Sequence, residues 1–332
     1  MIDGWVVESM ADLNQKQPQL LSYLTQNAIW WVEYADLSGY RVDTYPYNSR
    51  DEITQWTKAI MDEYPNFSIV AESWVINPIH LSYWQKDSPI ASMSGFNSQV
   101  THVKDFALFA AVQDIYQGDT PWWEQKMNKI YKVFQNDFVY ANPNDLIVFL
   151  ENHDTSRINE IASEFYQYKL MTTLLATVRG VPQTYYGTEI NMRGAKEKGD
   201  ADLRRDFPGG WPSDTRTAFN KAGRTEVENN YFDFTAQLFN WRKNEPVIHF
   251  GKTMHYAPQN EVYVYFRYTD NKTIMVVLNA NDEDQTLNMQ RFNQRIGSAQ
   301  MGKDVFSDAV TPLTGQLPIP ANSAKIISFN TP

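Results

Sequence analysis

The sequence contains no cysteine, which excludes disulfides, thiolate nucleophiles and Cys-ligated zinc or iron–sulfur centres. A cysteine-free chain is compatible with reducing and oxidising compartments alike, so this absence does not fix its location. Positive charge is also scarce: 29 Lys and Arg stand against 39 Asp and Glu, a formal net charge of −10. Nucleic acid and anionic membrane are therefore poor partners, because phosphate binding needs a cationic field. No apolar run reaches the roughly 18 residues of a membrane helix. The first residues lack the basic-then-apolar layout of a signal peptide, so a soluble chain without membrane insertion is expected. There is no low-complexity tract and no internal repeat beyond an alternation of short apolar runs and amphipathic stretches.

What is present is a chain of 332 residues, enough for about two domains at roughly 150 residues each. It carries 10 Trp, 19 Tyr and 18 Phe. Such an aromatic load serves core packing in most proteins. It also supplies flat platforms for ligands with apolar faces, such as sugar rings.

Two regimes separate near Pro246. Before it, the pattern is that of a parallel sheet with intervening helices. Strands are predicted at Gly39–Asp43, Ser68–Glu72, Ser92–Asn97, Leu146–Glu151 and Val181–Tyr186. Helices are predicted at Pro18–Tyr34, Arg50–Tyr64, Val103–Ile115, Trp122–Phe138, Ser163–Val178 and Tyr231–Asn244. In Arg50–Tyr64, for example, Ile53, Trp56, Ile60 and Tyr64 share one face, with Ser49 as a candidate N-cap and Pro65 as a stop. After about His249 the period changes to two: Val262, Val264 and Phe266 alternate with Tyr263, Tyr265 and Arg267. A turn at Thr269–Lys272 leads into Ile274–Leu278, and further strands are expected around Asp304–Phe306 and Lys325–Phe329. The expected domains are 1–248 and 249–332, the second a small antiparallel β-sandwich. The long, charged, Gly- and Pro-containing segment 187–230 is of a length usually reserved for functional loops.

Three acidic residues fall at the C-terminal ends of predicted parallel strands: Asp43, Glu72 and Asp154. A single carboxylate is ordinarily a solvated surface group. Three at equivalent strand ends would converge, because an eight-stranded β/α barrel forms its active site at that end. Carboxylates in one cleft can hydrolyse a glycosidic bond when their surroundings push their pKa values apart. Arg41 lies two residues before Asp43 and so on the same face of the strand. Its permanent cation would keep Asp43 ionised and nucleophilic.

Gly39-Tyr40-Arg41-Val42-Asp43, Val70-Ala71-Glu72-Ser73-Trp74 and Phe149-Leu150-Glu151-Asn152-His153-Asp154 resemble the second, third and fourth conserved regions of the alpha-amylase family of glycoside hydrolases (family 13). Met10-Ala11-Asp12-Leu13-Asn14 resembles the segment preceding them in the neopullulanase and cyclomaltodextrinase branch. Val181–Glu189 resembles the family's eighth strand. The resemblance implies that Asp43 is the nucleophile, Glu72 the general acid/base, and Asp154 the carboxylate that binds sugar hydroxyls and distorts the ring. It implies supporting roles for Arg41 and His153 around that ring. Trp74 and Tyr45, near strand ends, are candidate stacking platforms. Asp200 and Arg204 match the spacing of an Asp and an Arg that bind the next sugar in the neopullulanase branch.

Two departures qualify the match. Pro46-Tyr47 stands where many alpha-amylases carry Lys-His, which disfavours an endo-amylase. The Asp-x-x-x-Asn-His region of the third strand is absent from this chain. The expected fold is accordingly α/β: a partial TIM (β/α)8 barrel, strands four to eight, followed by the β-sandwich. The chain reads as the C-terminal portion of a longer enzyme, and alone it is expected to be inactive or weakly active. The expected activity is retaining cleavage of α-1,4-glucosidic bonds in starch-derived glucans or maltooligosaccharides. The alternatives are a non-catalytic glucan-binding relative and a family-13 transglycosylase or sucrose-acting enzyme. No metal or cofactor is assigned: calcium is common in the family, but its ligands lie largely in the missing region. The branch's likeness to gut-bacterial starch-utilisation systems points to a periplasmic or secreted location, and nothing in the sequence sets the oligomeric state.

Overall fold

The computed structural model describes residues 8–121 and 123–331. It forms two compact units, Met1–Ala107 with Gln135–Val148, and Leu108–Phe134 with Phe149–Pro332. These cut the chain at points other than the sequence boundary at residue 248.

The first unit opens with the helix Pro18–Ala35, started by a proline whose missing N–H costs nothing there and ended by Asp36 in the left-handed region. Strand β1 (Gly39–Val42) follows. A Cβ on Gly39 would stand 2.7 Å from the Ser68 carbonyl oxygen, so the close approach of the neighbouring strand requires glycine. The helix Arg50–Glu63 comes next, as its periodicity predicts. Ser49 occupies its N-cap position but does not cap it through its side chain; its hydroxyl donates instead to Glu52 Oε2 at 2.5 Å.

Strand β2 (Ser68–Ala71) pairs with β1 in parallel, Val42 opposite Ala71, and buries Ile69 and Ala71 completely. The strand predicted over Ser92–Asn97 does not form. Ser92 closes the helical turn Pro89–Ser92, capped by the Ser88 hydroxyl accepting from Ala91 N, and the chain then turns through 93–95 with Gly95 at φ 71°, a left-handed conformation that breaks an extended run. The third strand of the sheet is β3 (His102–Val103), parallel to β2. The helix predicted to begin at Val103 therefore starts at Phe106. Lys104 bridges in parallel to Ile147 of β4 (Ile147–Phe149), where the chain passes to the second unit.

In the second unit, the helix expected over Trp122–Phe138 is confined to Asn128–Phe134. The helix Phe165–Thr177 is buried almost all round, Tyr168 and every residue from Leu170 to Thr177 included, as expected for a core helix without a polar face. Strand β5 (Val181–Gln183) is shorter than predicted. The helix Glu226–Lys243 starts at a capping box between Thr225 and Glu228. Near its end, buried Arg242 donates to Ala176 O at 2.8 Å and Gly180 O at 3.2 Å. It thereby satisfies carbonyls that the end of the preceding helix leaves open, although burial pulls its pKa down to about 10. Arg242→Ala is expected to cost roughly 2–4 kcal/mol by leaving two buried carbonyls unpaired. Urea unfolding at neutral pH measures it, and a loss below about 1 kcal/mol would contradict this role.

The C-terminal strands are β6 (Lys252–Gln259), β7 (Val262–Tyr268), β8 (Lys272–Asn279), β9 (Gln285–Asn288), β10 (Met301–Asp304), β11 (Val310–Pro312), β12 (Gln316–Ile319) and β13 (Ser323–Asn330). Six form an antiparallel sheet in the order β11-β10-β13-β8-β7-β6, and β12 pairs with β9. One face of β7 and β8 packs Val262, Val264, Phe266, Met275 and Val277 against Phe292, Leu317 and Phe329. The alternate residues Tyr263, Tyr265 and Arg267 are buried too, so the period-two strand is covered on both sides. The β6–β7 turn places Asn260 and Glu261 at positive φ, 50° and 58°, a costly geometry for a glutamate. Its carboxylate accepts from Lys126 N and Met127 N at 2.9 and 3.1 Å, which holds it there. Among the described residues no helix is long and apolar enough to cross a membrane.

Candidate active site

The parallel register of β1 and β2 brings two carboxyl groups together. Because Val42 lies opposite Ala71, the next residues, Asp43 and Glu72, emerge side by side at the C-terminal end of the sheet. Glu72 N donates to Val42 O at 2.9 Å, and Tyr45 N to Glu72 O at 3.1 Å, fixing the two strand ends to each other. Arg41, on the same face as Asp43, reaches both carboxylates: Nη1 lies 2.9 Å from Asp43 Oδ1 and Nη2 2.5 Å from Glu72 Oε1. Thr44 N donates to Glu72 Oε2 at 3.3 Å. Thr44 itself sits at φ 45°, a left-handed conformation that a β-branched residue rarely adopts and that clusters at functional sites.

The environments of the two carboxyls differ as their accessibility does. The Glu72 side chain is 4% exposed and that of Asp43 64% exposed. The hydrogen bond from Glu72 pulls the Asp43 pKa below the ordinary carboxylate value, against a smaller opposing effect of burial, and the Arg41 charge adds to the lowering. Burial pushes the Glu72 pKa up, the hydrogen bond to Asp43 adds to that, and Arg41 opposes it. One carboxylate stays ionised while its neighbour tends to keep a proton, which is the division of labour of a nucleophile and an acid.

Asp154 belongs to the second unit and has its own set of partners. Its N–H donates to Asn152 Oδ1 at 2.8 Å, shaping the tight turn after β4. Arg204 Nη2 lies 2.7 Å from Asp154 Oδ1 and 3.1 Å from Asp200 Oδ2, and Arg204 Nε donates to the His153 carbonyl at 3.0 Å. His153 Nε2 lies 3.0 Å from Asp154 Oδ2. Asp154, His153, Asp200 and Arg204 therefore form one half-exposed cluster. Lys196 holds Asp200 at 2.7 Å and, with Arg204, lowers its pKa.

The two proposed platforms fare differently. Trp74 is 41% exposed and stacks one face on Phe106, with centroids 4.8 Å apart and planes 23° apart. Tyr45 is fully buried, its hydroxyl 2.8 Å from Thr57 Oγ1 and its ring edge-on to Trp84. It is a core residue, not a sugar platform. The turn Tyr45–Tyr47 is a single 3-10 turn, which rotates the side chain inward where an extended strand end would have presented it.

Two charged residues of this region escape a sequence reading. Glu151, directly after the buried run Ile147–Leu150, is itself 2% exposed and accepts from Ile158 N and the Thr188 hydroxyl. Arg157 is completely buried. A carboxylate continuing an apolar strand was the only available signal. Glu151 also lines a cavity of about 450 Å³ with Tyr168, Thr188, Glu189 and Phe239.

Burial pushes the Glu151 pKa up to about 7, against the Thr188 hydroxyl, Arg157 and the Ile158 N–H. The folded state then holds a proton that the unfolded chain releases near pH 4.5. Its stabilising contribution is complete below that pH and is lost as pH rises through about 7, roughly 3 kcal/mol in all. Urea titrations at pH 5 and pH 8 should show Glu151→Gln losing much less stability over this interval than the parent protein. An unchanged difference would assign the effect to another group.

Among the described residues no group of three or more His, Asp or Glu side chains is arranged to hold a metal ion. Residues 5–274 match the family model described as alpha amylase, catalytic domain, and residues 253–328 that of the cyclo-malto-dextrinase C-terminal domain. The cyclomaltodextrin glucanotransferase of Bacillus licheniformis is 26% identical over 273 residues, 82% of this chain and 34% of that protein. The chain thus spans about a third of the length of such curated relatives. The fold resembles the crystal structure of an alpha-amylase from Geobacillus thermoleovorans, with a TM-score of 0.79 and 22% identity over 98% of this chain and 67% of that one. It also resembles a solved cyclomaltodextrinase, with a TM-score of 0.76 and 19% identity over 98% and 52% of the two chains.

Proposed function

Since the chain belongs to the alpha-amylase family, its residues 5–274 matching the catalytic-domain model, we propose that it carries the catalytic carboxylates of a retaining glycosidase acting on α-1,4-linked glucans or maltooligosaccharides. In this reading β1 to β5 correspond to strands four to eight of a (β/α)8 barrel, residues 1–248, and 249–332 form the accompanying β-sandwich. The observation that carries the proposal is the Asp43–Glu72 pair: two carboxyls in contact at adjacent parallel strand ends, one lowered and one raised in pKa, joined by Arg41.

The reaction is a double displacement. An Asp43 oxygen attacks the anomeric carbon while Glu72 gives its proton to the departing glycosidic oxygen, leaving a glycosyl ester on Asp43. Glu72, now ionised, takes a proton from water as that water displaces Asp43, and both carboxyls return to their starting states. Asp154, held by Arg204 and His153, binds sugar hydroxyls, with Asp200 beside it. Trp74 offers its free face to a ring. If an acceptor sugar replaces the water, the same intermediate yields transglycosylation, and relatives named as glucanotransferases favour that second reading.

Hydrolysis of a maltooligosaccharide followed by proton NMR distinguishes the mechanism. The first product formed should be the α-anomer. Initial release of the β-anomer, or no cleavage by the protein in its natural full length, would overturn the proposal.

A further inference from the structure

We propose that Arg157 is a positioning residue, holding the backbone that carries Arg204 and so setting the Arg204–Asp154 clamp. This inference rests on the reading of Asp154 as the carboxylate that binds the sugar. Arg157 touches neither Asp154 nor Arg204 in the hydrogen bonds described above; it acts on the chain just before Arg204. Its Nε donates to Leu203 O at 3.1 Å and its Nη1 to Tyr186 O at 2.5 Å. Its backbone N–H donates to Gly194 O at 2.8 Å. The guanidinium lies 3.9 Å from the centroid of Tyr185 and 4.9 Å from that of Tyr186, and Glu151 Oε1 is 3.8 Å from Nη1.

These contacts tie three stretches of the long segment 187–230 and its approach to the turn after β4. The turn itself is anchored at both ends. Glu151 accepts from Ile158 N and Thr188 Oγ1, and the Arg157 side chain is wholly buried. Leu203 is buried as well, so its carbonyl has no solvent alternative of equal quality once Arg157 is removed. Arg204, by contrast, is 43% exposed. Its two contacts to Asp154 and the His153 carbonyl depend on where its Cα is held. A planar, fixed cation beneath the loop suits this task better than lysine, which offers neither a fork of donors nor a flat face for Tyr185.

The experiment is a double-mutant cycle between Arg157→Lys and Arg204→Lys on maltooligosaccharide cleavage by the protein in its natural full length, with hydrogen–deuterium exchange of the 200–206 segment as a readout independent of activity. Each single variant is expected to lose about 10–100-fold in kcat/KM, because small misplacements of a sugar-binding group are costly. Since Arg157 acts through Arg204, the double variant should fall no further than the worse single variant, within about twofold. In Arg157→Lys alone, exchange of Leu203 and Arg204 amides should rise while that of β7 and β8 stays as in the parent. Multiplicative losses in the cycle, or unchanged exchange at 200–206, would overturn the proposal.

Should Arg157→Lys fail to fold, Tyr185→Leu removes only the ring stacked on the guanidinium. It should give the same pattern at smaller amplitude; additivity with Arg204→Lys would again overturn the proposal. Absence of glucan cleavage by the parent protein in its natural full length would remove the glycosidase reading, and the exchange measurement would still decide whether Arg157 holds this loop.

Discussion

In the full-length enzyme, Asp43→Asn and Glu72→Gln should each abolish turnover of maltooligosaccharides, but they should fail differently. Asparagine cannot form the glycosyl ester, so Asp43→Asn should lose roughly 10⁴-fold or more in kcat on every substrate. Glutamine cannot donate the proton, and loss of general acid catalysis is worth about 10²–10⁴-fold. That loss applies only where the leaving oxygen needs the proton. With an α-glucosyl fluoride, whose leaving group departs as an anion, Glu72→Gln should still form the intermediate and then stall, because no base remains to activate water. A burst of fluoride followed by slow turnover in Glu72→Gln, and no burst in Asp43→Asn, assigns the two roles. Equal behaviour of the two variants on both substrates would reverse or remove the assignment. Both substitutions keep the shape of the side chain, so circular dichroism should be unchanged.

Arg41→Ala is expected to move the whole pH–rate profile to higher pH and to lower its maximum. The active form has Asp43 ionised and Glu72 protonated, so activity lies between the two pKa values. Arg41 is a fixed cation within 3 Å of both carboxylates. It favours the ionised form of each and so pulls both pKa values down. Its removal therefore raises both pKa values, shifting the acid limb and the alkaline limb in the same direction. The maximum should fall by about 10²–10³-fold through loss of a preorganised charge beside the reacting centre. A profile that narrows, or shifts to lower pH, would show that Arg41 does not hold this pair. Arg41→Lys keeps a charge but not the fork that reaches both oxygens, and should lie between the two.

The Asp43–Glu72 pair was legible in the amino-acid sequence because its placement depends on local, repetitive features. Short apolar strands of similar length, separated by amphipathic helices, pair in parallel, and the acidic residue following each comes out at the same end. The Arg41–Asp43 relation follows from the two-residue period alone. Asp154, His153, Asp200 and Arg204 were named through resemblance, and their clustering is a long-range fact that no local pattern encodes. Tyr45 turns inward because a one-turn 3-10 helix reverses the direction that strand alternation would give. β3 escapes the sequence because two residues carry no period, and Ser92–Asn97 forms no strand because a helical turn ends at Ser92 and Gly95 takes a left-handed turn that apolar alternation does not reveal. Glu151 and Arg157 were invisible for a deeper reason: charged residues are ordinarily surface groups. Their burial is made tolerable by partners at positions 186, 188 and 203, which only the folded chain brings near.

The most direct test of the proposed chemistry is to trap the glycosyl ester. A fluorinated maltosyl or glucosyl fluoride slows both displacement steps and lets the covalent intermediate accumulate on the nucleophile. Proteolysis and mass spectrometry should then find the sugar on the peptide containing Gly39-Tyr40-Arg41-Val42-Asp43, with the adduct on Asp43 and absent in Asp43→Asn. An adduct on Glu72 or Asp154, or turnover of the reagent without any covalent species, would contradict the assignment of Asp43 as the nucleophile.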